Sequence, residues 1–300
     1  MVILNECKQF TRMTEEEWWE KFLDIATRQW ELVPRFNYIL RKDYISEMKS
    51  FLFVPKGKLL EVGCGSGWVG IEVAKSGMEL FGIDTSPSQI NNAKKRAKEA
   101  GLVDPIFTVG TMADLDSSLR FDSVIIHAVL HHLAPDEIPT FFKQITALLK
   151  KHGRLYIYEP VSSGLTSPWI NLCASVIFFL FWSPFWLLQK IGSYFRVGPK
   201  KFREAVKNGW SGFSPNEAPV DKSFLLNIIE KSFSIDRLYY WHAYSLAFAM
   251  GCTELKPPFS WLAEWLTYLL YWVDQRLMKS SLRDHLIGVW TWASITAVRL

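Results

Sequence analysis

The sequence is poor in cysteine, and its cysteines are far apart. Cys7, Cys64, Cys173 and Cys252 form no CxxC pair and show no spacing typical of metal ligands. A disulfide scaffold and a zinc site are therefore not expected, and we predict that the protein holds no metal ion. Reduced thiols, the usual state in the cytosol, are the expectation.

The sequence also lacks a strong excess of charge of either sign. It has 34 Lys and Arg against 30 Asp and Glu, which gives a net charge of +4. This balance does not favour a nucleic-acid partner. The first residues show no apolar run behind a basic start, so a secretory signal is not expected.

Charge is missing altogether from one part of the chain. Residues 160–189 contain no Asp, Glu, Lys or Arg, and a basic stretch follows over residues 190–207. Ten of the 14 tryptophans come after Glu159. Because Trp rings favour the boundary between apolar and aqueous surroundings, this half of the chain is expected to contact a hydrophobic phase or ligand.

Between residues 58 and 160, strand and helix patterns alternate, which predicts a parallel α/β sheet. The predicted strands are 58–62, 79–84, 105–109, 121–127 and 154–158, followed later by 234–249 and 290–300. Predicted helices begin after the capping box at Thr14 and after the Ser86-Pro87 cap, and others cover 36–51, 68–74, 136–151, 221–233 and 259–278.

A glycine-rich loop follows the first predicted strand. Glycines at 63, 65 and 67 would let the backbone turn tightly and approach a ligand. A nicotinamide site would have the spacing GxGxxG, whereas here the spacing is GxGxG and Glu61 precedes it, which suits a ligand with an ammonium group. Asp84 ends the second strand, where a carboxylate can accept hydrogen bonds from both ribose hydroxyls of either cofactor.

Together with four later segments, this loop resembles the class I S-adenosylmethionine-dependent methyltransferases. The segments are LLEVGCGSG at 59–67, FGID at 81–84, VGTMADL at 109–115, FDSVIIHAVLHHL at 121–133 and LKKHGRLYIYEP at 149–160. The resemblance implies methyl transfer, S-adenosylmethionine as cofactor, and a Rossmann-like α/β sheet of seven strands with the last antiparallel.

The resemblance also divides the chain. It implies an N-terminal helical lid at 1–54 and a cofactor-binding core at 55–160, completed by 217–249 and 288–300. The remaining segments, 161–216 and 250–287, are apolar insertions after strands five and six, which face a membrane or cap the substrate.

Cofactor-binding residues are implied position by position. The methionine and ribose side would be lined by Glu61, Gly63, Cys64, Gly65 and Gly67, the ribose held by Asp84 with Thr85, the adenine flanked by Thr111 and Met112, and the sulfonium approached by His127 and Ala128. At Thr111 the sequence departs from the many relatives that carry an acid there. For Cys64 a role as small filler is expected, not as nucleophile.

Four residues are candidates for a general base, which an alcohol acceptor would need. His131 and His132 follow the fourth strand, Glu159 ends the fifth, and His242 alternates with two tyrosines along the sixth. Each of the four also has a structural alternative, as a turn-capping or core residue.

The insertions predict contact with a membrane. Both leave the sheet at its ligand-binding edge, and a single membrane crossing would separate strands that must share one sheet. Pro184 interrupts the run at 168–188, so a re-entrant or interfacial segment is favoured. Residues 259–278 predict a Trp-rich helix that can lie in the interface.

We therefore expect a methyltransferase at the cytoplasmic face of a membrane that acts on a lipid or lipid-linked hydrophobic acceptor. Two alternatives stay open, namely a soluble enzyme for a small apolar metabolite and a cofactor-binding scaffold without transfer. As an alternative to membrane contact, the apolar insertions could bury each other or form a dimer interface, and the oligomeric state is not predicted.

Overall fold

The computed structural model describes a sheet and the helices that cover it. The described residues are 14, 15, 17–19, 21, 22, 34–162, 200, 201, 214, 216–242, 245–251, 258–280 and 291–300, and the structural statements below concern these. The predicted re-entrant segment at 168–188 and most of the basic stretch at 190–207 lie outside them.

A single mixed sheet contains the strands of the described residues. Their order is β3-β2-β1-β4-β5-β8-β7, with the two-residue β6 beside β5. Strands β1 to β5 pair in parallel, and β8 runs antiparallel to both β5 and β7. The bounds are β1 Lys58–Val62, β2 Glu79–Asp84, β3 Ile106–Val109, β4 Phe121–His127, β5 Leu149–Ser162, β6 Val220–Asp221, β7 Phe233–His242 and β8 Thr291–Arg299.

Helices cover both faces of this sheet. Tyr44, Met48 and Leu52 of the first long helix pack on one face, and the helices before β5 and after β6 pack on the other. The bounds are α1 Pro34–Leu52, α2 Trp68–Ala74, α3 Pro87–Glu99, α4 Ile138–Leu148, α5 Lys222–Ile229, α6 Ser245–Gly251 and α7 Phe259–Met278.

The local signals in the sequence explain most of these bounds. In β1 the last four residues are all buried, three of them apolar, as expected of a strand covered on both faces. Ser86 caps α3 and Pro87 is its first residue, and the Asp221 side chain accepts from the Phe224 amide at 2.8 Å. The Rossmann-like sheet with an antiparallel final strand is thus confirmed.

Three predicted elements end earlier than expected. The helix predicted at 221–233 stops at Ile229, because Phe233 already pairs with Arg299 and begins β7. The strand predicted at 234–249 stops at His242, and Ser245–Gly251 is helical because Asp274 anchors the start of α6. The Asp274 carboxylate accepts from the Ser245 amide at 2.9 Å and from its hydroxyl at 2.7 Å. The helix predicted at 136–151 spans only 138–148, because buried Leu149 already pairs with Phe121 and begins β5.

None of the described helices has the combination of length and apolar composition that crossing a bilayer requires.

Candidate active site

The loop between β1 and α2 is shaped by glycines in left-handed conformations. Gly63, Gly65 and Gly67 have φ values of +63°, +49° and +72°, which residues with side chains rarely adopt. A Cβ at Gly63 would lie 2.5 Å from Val129 Cγ2, whereas a Cβ at Gly65 would meet no atom within 4 Å. Gly65 therefore lies where a ligand can approach the backbone most closely.

Glu61 is buried beneath this loop. It is 2% exposed, and its Oε2 accepts a hydrogen bond from the Gly70 amide at 3.0 Å. Burial raises the pKa of Glu61 to about 8; the Gly70 amide opposes this shift and the nearby Asp84 charge adds to it. A cationic group placed beside Glu61 would favour its ionised form.

Asp84 joins the loops that leave β1 and β2. Its Oδ2 accepts from the Gly65 amide at 2.8 Å and its Oδ1 from the Ser86 amide at 2.9 Å. Burial raises the pKa of Asp84, and the two amide hydrogen bonds counter that effect. The carboxylate lines the cleft at the end of β2, where it can accept further hydrogen bonds from a ligand.

Cys64 lies in the same loop but is a packing residue. It is 4% exposed, and burial raises the pKa of its thiol far above the usual value. Because the thiolate is the reactive form, this side chain is not suited to nucleophilic chemistry. The expectation of a small filler at this position agrees with this environment.

Thr111 opens a short 3-10 turn after β3. Its amide and its hydroxyl both donate to Asp114 Oδ2, at 2.8 Å and 3.0 Å. These hydrogen bonds lower the pKa of Asp114. An acid thus lies three residues beyond the position where many relatives carry one, but it is bound to the backbone of its own turn. Met112 packs into the core below.

His127 ends β4 within a group of aromatic rings. Its ring stacks on Tyr158 at a centroid distance of 4.9 Å and meets Trp68 edge-on at 5.3 Å. Tyr44 of α1 also stacks on Tyr158, at 4.3 Å, and its hydroxyl lies 3.5 Å from His127 Nε2. Burial lowers the pKa of His127 to about 3, so the ring is neutral at physiological pH.

Ala128, the next residue, turns the chain sharply. Its φ is +59°, an uncommon conformation for a residue with a Cβ. The turn lets the Ala128 amide donate to the Tyr158 carbonyl at 2.9 Å. The strained residue therefore lies directly after β4, in the wall of the cleft.

His131 and Glu159 form a buried pair behind this turn. The Nδ1 atom of His131 lies 2.8 Å from Glu159 Oε2, and the two side chains are 6% and 0% exposed. Glu159 Oε1 accepts from the amides of Val129 and Leu130 at 2.5 Å and 2.8 Å. In the tautomer that carries the proton on Nδ1, this nitrogen donates to the Glu159 carboxylate, and Nε2 is the nitrogen that can accept a proton.

His132 belongs to a second polar cluster, which joins distant segments. Its Nδ1 lies 3.0 Å from both Glu15 Oε1 and Ser214 Oγ. Glu15 Oε2 also accepts from the Asn216 amide at 3.1 Å. Burial lowers the pKa of His132, and the hydrogen bond to Glu15 opposes this shift. The cluster joins the N-terminal segment to the loops beside the cleft.

The structure brings most predicted site residues to one cleft of about 2270 Å³. Gly67 and Glu159 are not among its lining residues, since Gly67 packs near Ala93 and Glu159 lies behind His131. His242 ends β7 opposite Trp292, but its side chain is outside the description. The predicted residues that line the cleft are Glu61, Gly63, Cys64, Gly65, Asp84, Thr85, Thr111, Met112, His127, Ala128, His131 and His132.

Sequence reasoning missed several residues that line or support this cleft. Tyr44, Tyr158 and Trp292 come from three separate elements, and no local pattern marks them. Gly70 is required because a Cβ there would lie 2.5 Å from Glu61 Oε2. The sequence feature that could have identified Gly70 is a glycine in the first turn of a helix, where glycine is otherwise unfavourable.

Part of the chain is similar in sequence to known methyltransferases, and its fold is similar to that of solved methyltransferases. Residues 59–153 match the family model described as a methyltransferase domain. The chain is 30% identical over 162 residues to the ubiquinone biosynthesis O-methyltransferase of Pelagibacter ubique, over 51% of this chain and 63% of that protein. It is 36% identical over 149 residues to the protein of the same name from Pectobacterium atrosepticum, over 47% of this chain and 59% of that protein.

The chain thus spans about three fifths of the length of these curated relatives. Among solved structures, magnesium protoporphyrin IX methyltransferase from Synechocystis PCC 6803 with bound SAH matches with a TM-score of 0.53 at 15% identity. The match covers 95% of this chain and 97% of that one, and it shows a shared fold. The strand order and these matches show that residues 59–153 are similar to a methyltransferase domain and that the chain shares the fold of this methyltransferase.

Proposed function

We propose that this protein transfers a methyl group from S-adenosylmethionine to a hydroxyl of a lipid or lipid-linked hydrophobic acceptor, at the cytoplasmic face of a membrane. The observation that carries the proposal is the space over Gly65, where a Cβ would meet no atom within 4 Å. This space is bordered by Asp84 and Glu61, so a nucleoside with an ammonium group fits the residues present.

The cofactor-binding residues have complementary tasks. Asp84 would accept hydrogen bonds from the ribose hydroxyls while it keeps the Gly65 amide in place. Glu61 would ionise when the ammonium group is bound near it, since an opposite charge lowers the pKa of a carboxyl group. When bound, S-adenosylmethionine supplies an electrophilic methyl group on a sulfonium, which becomes a neutral thioether as the new carbon–oxygen bond forms.

His131 is the group that we propose as general base. Its Nε2 would take the proton of the acceptor hydroxyl, while Glu159 retains the Nδ1 proton at 2.8 Å and stabilises the imidazolium. His131 lines the cleft, whereas Glu159 does not. Glu159 is therefore proposed as a positioning residue, and His132 and His242 receive no catalytic role in this proposal.

The acceptor side of the cleft supports a hydrophobic substrate. Trp292 stacks on Tyr158 at 5.0 Å and lies edge-on to His131 at 6.1 Å, so apolar rings surround the proposed base. The curated relatives are named for O-methylation in ubiquinone biosynthesis, which supports an oxygen atom as acceptor. The N-terminal segment, with Glu15 and Trp19 at the cleft, would serve as the lid that excludes water.

The test uses methyl-labelled S-adenosylmethionine and a lipid extract of the host. We expect label in the organic phase with the wild-type protein and none with Asp84→Asn. Asp116→Asn is the matched control, because Asp116 also accepts an amide two residues later, at 2.8 Å, but lies outside the cleft. We expect Asp84→Asn to weaken cofactor binding by about 2–3 kcal/mol in calorimetry, since a charged acceptor is lost.

Label in the aqueous products alone would redirect the proposal to a small apolar metabolite. Cofactor binding without transfer to any extract would contradict an enzymatic role and support a scaffold. Equal cofactor affinity of the wild type and Asp84→Asn would remove the assignment of Asp84.

A further inference from the structure

Helix α7 presents most of its large apolar residues to solvent and several of its polar residues to the protein. Ser260, Thr267 and Asp274 are fully buried on its inner side. We call its outer side the aromatic face of α7, and it consists of Phe259, Trp261, Leu262, Trp265, Tyr268, Leu269 and Trp272, whose exposed fractions lie between 43% and 67%. A helix at a water-facing surface normally has the opposite arrangement.

The inner side fixes the orientation of this helix. The Tyr271 hydroxyl donates to Asp43 of α1 at 2.7 Å, and Asp274 accepts from the Ser245 hydroxyl at 2.7 Å. The Gln275 side chain donates to the Trp241 carbonyl at 2.9 Å. Rotating α7 to bury its tryptophans would break these three contacts, each of which includes a buried residue, so the exposure of the aromatic face is built into the fold.

Basic side chains border the aromatic face. Arg276 lies over the Trp272 ring at 5.1 Å from the centroid. Lys42 of α1 lies 6.0 Å from the Tyr268 ring and 5.4 Å from the ring of Tyr38, which is itself 64% exposed. No Asp or Glu of α7 is among its exposed residues, since Asp274 is buried and Glu264 is half-buried. The face therefore combines apolar rings with positive charge.

We propose that the aromatic face of α7, with Lys42 and Arg276 at its border, docks on the surface of an anionic lipid bilayer. Trp and Tyr rings favour the headgroup level, and the basic side chains would contact lipid phosphates. The delivery of a lipid acceptor rests on the proposed function. Docking on the bilayer does not, because it requires neither cofactor nor substrate.

This position suits delivery of a lipid acceptor. Helix α7 packs on α1 and α6, and each of these contributes a cleft residue, namely Tyr44 and Leu246. A bilayer is favoured over a second copy of the chain because the border of the face is basic, and two such faces brought together would place like charges near one another.

The test compares co-sedimentation of the full chain with sucrose-loaded vesicles of phosphatidylcholine, with and without phosphatidylglycerol. The variant is Trp261→Ser/Trp265→Ser, and the control is Val103→Ser/Leu300→Ser, which also replaces two exposed apolar residues, 87% and 63% exposed. We expect the Trp variant to lose at least about tenfold in vesicle partitioning and the control to bind like the wild type. Lys42→Glu/Arg276→Glu should abolish the preference for phosphatidylglycerol vesicles.

Cofactor affinity, measured in parallel, reports folding, and it should be equal in the wild type, the Trp variant and the Val103→Ser/Leu300→Ser control. Equal vesicle binding by the wild type and the Trp variant would overturn the proposal. Light scattering could instead show a mass that falls from dimer to monomer in the Trp variant while vesicle binding is unchanged. That result would assign the face to a second copy of the chain. Neither result bears on methyl transfer, so the two proposals can fail separately.

Discussion

The two sides of the cleft are built in different ways. On the cofactor side, the carboxylates of Glu61 and Asp84 accept hydrogen bonds from backbone amides nine and 19 positions away. On the acceptor side, contacts join distant segments: the side chains of His132 and Ser214 are separated by 82 positions, and the Asn216 amide donates to Glu15, 201 positions away. A short motif can encode the first kind of site but not the second.

The difference follows from what each side recognises. A cofactor of constant shape can be bound by backbone amides and one or two carboxylates, whose positions are set by a strand, a glycine turn and a helix. An acceptor is distinguished by the shape and polarity of its pocket, which side chains from several elements provide. Three experiments separate the two sides, and they follow in order of expected effect.

The largest effect should come from His131→Asn, which alters the acceptor side alone. We expect kcat to fall by about 10²–10⁴, because proton removal from the acceptor loses its base, while calorimetry shows unchanged cofactor affinity. His152→Asn is the control, since His152 is exposed with φ +61°, a conformation that Asn tolerates. A kcat close to that of the wild type would leave His131 as a structural partner of Glu159.

The second effect concerns the pH dependence of stability, which should come from the cofactor side. The pKa of Glu61 is about 8 in the folded protein against an ordinary value of 4.5. The folded state therefore keeps a proton that the unfolded chain releases, and stability should fall as pH rises through this window. The loss should approach roughly 3–5 kcal/mol, since one pKa unit corresponds to about 1.4 kcal/mol.

Urea unfolding from about pH 5 to about pH 9 measures this slope. Glu61→Gln should flatten it, whereas Glu72→Gln should not. Glu72 is the control because its ion pairs with Lys49 and Lys75 lower its pKa, which lies outside this window. If the slope is unchanged in Glu61→Gln, a group other than Glu61 titrates in this pH range. The pH dependence of stability would then no longer distinguish the cofactor side from the acceptor side.

The smallest effect should come from Gly65→Ala compared with Gly101→Ala. Both glycines have positive φ, +49° and +71°, and at neither would a Cβ meet an atom within 4 Å. Both variants should therefore lose about 1 kcal/mol of stability. Only Gly65→Ala should also lose cofactor affinity, by about tenfold in calorimetry, because its methyl group enters the space of the ligand. Equal affinities would show that the ligand does not approach Gly65.

The sequence predicted the fold well, and it placed the glycine loop and Asp84 at adjacent strand ends, for local reasons. The strand–glycine–helix step at residues 58–74 and the caps at Ser86 and Asp221 are short-range signals, and the structure has these elements at the expected positions. The strand predicted to end at Ala249 shows where local signals fail. The strand stops at His242, and the start of α6 depends on Asp274, 29 positions from Ser245.

For the catalytic candidates, sequence position alone was not enough. His131, His132 and Glu159 all lie near strand ends, but burial gives them different partners. Glu159 is fully buried and holds His131, whereas His132 is joined to Glu15 of the N-terminal segment. These pairings depend on how β4 and β5 align and on where the N-terminal segment packs, which no residue spacing contains.

The sequence by itself determined the sheet, the glycine loop and Asp84, because apolar runs, glycines and capping residues act over short distances along the chain. It also indicated a Trp-rich helix at 259–278, but amphipathic periodicity cannot say which side of a helix faces the protein. The tertiary structure decided that. The Tyr271 hydroxyl, which donates to Asp43, and the buried Asp274 carboxylate, which accepts from Ser245, turn the polar side inward and leave the tryptophans outside.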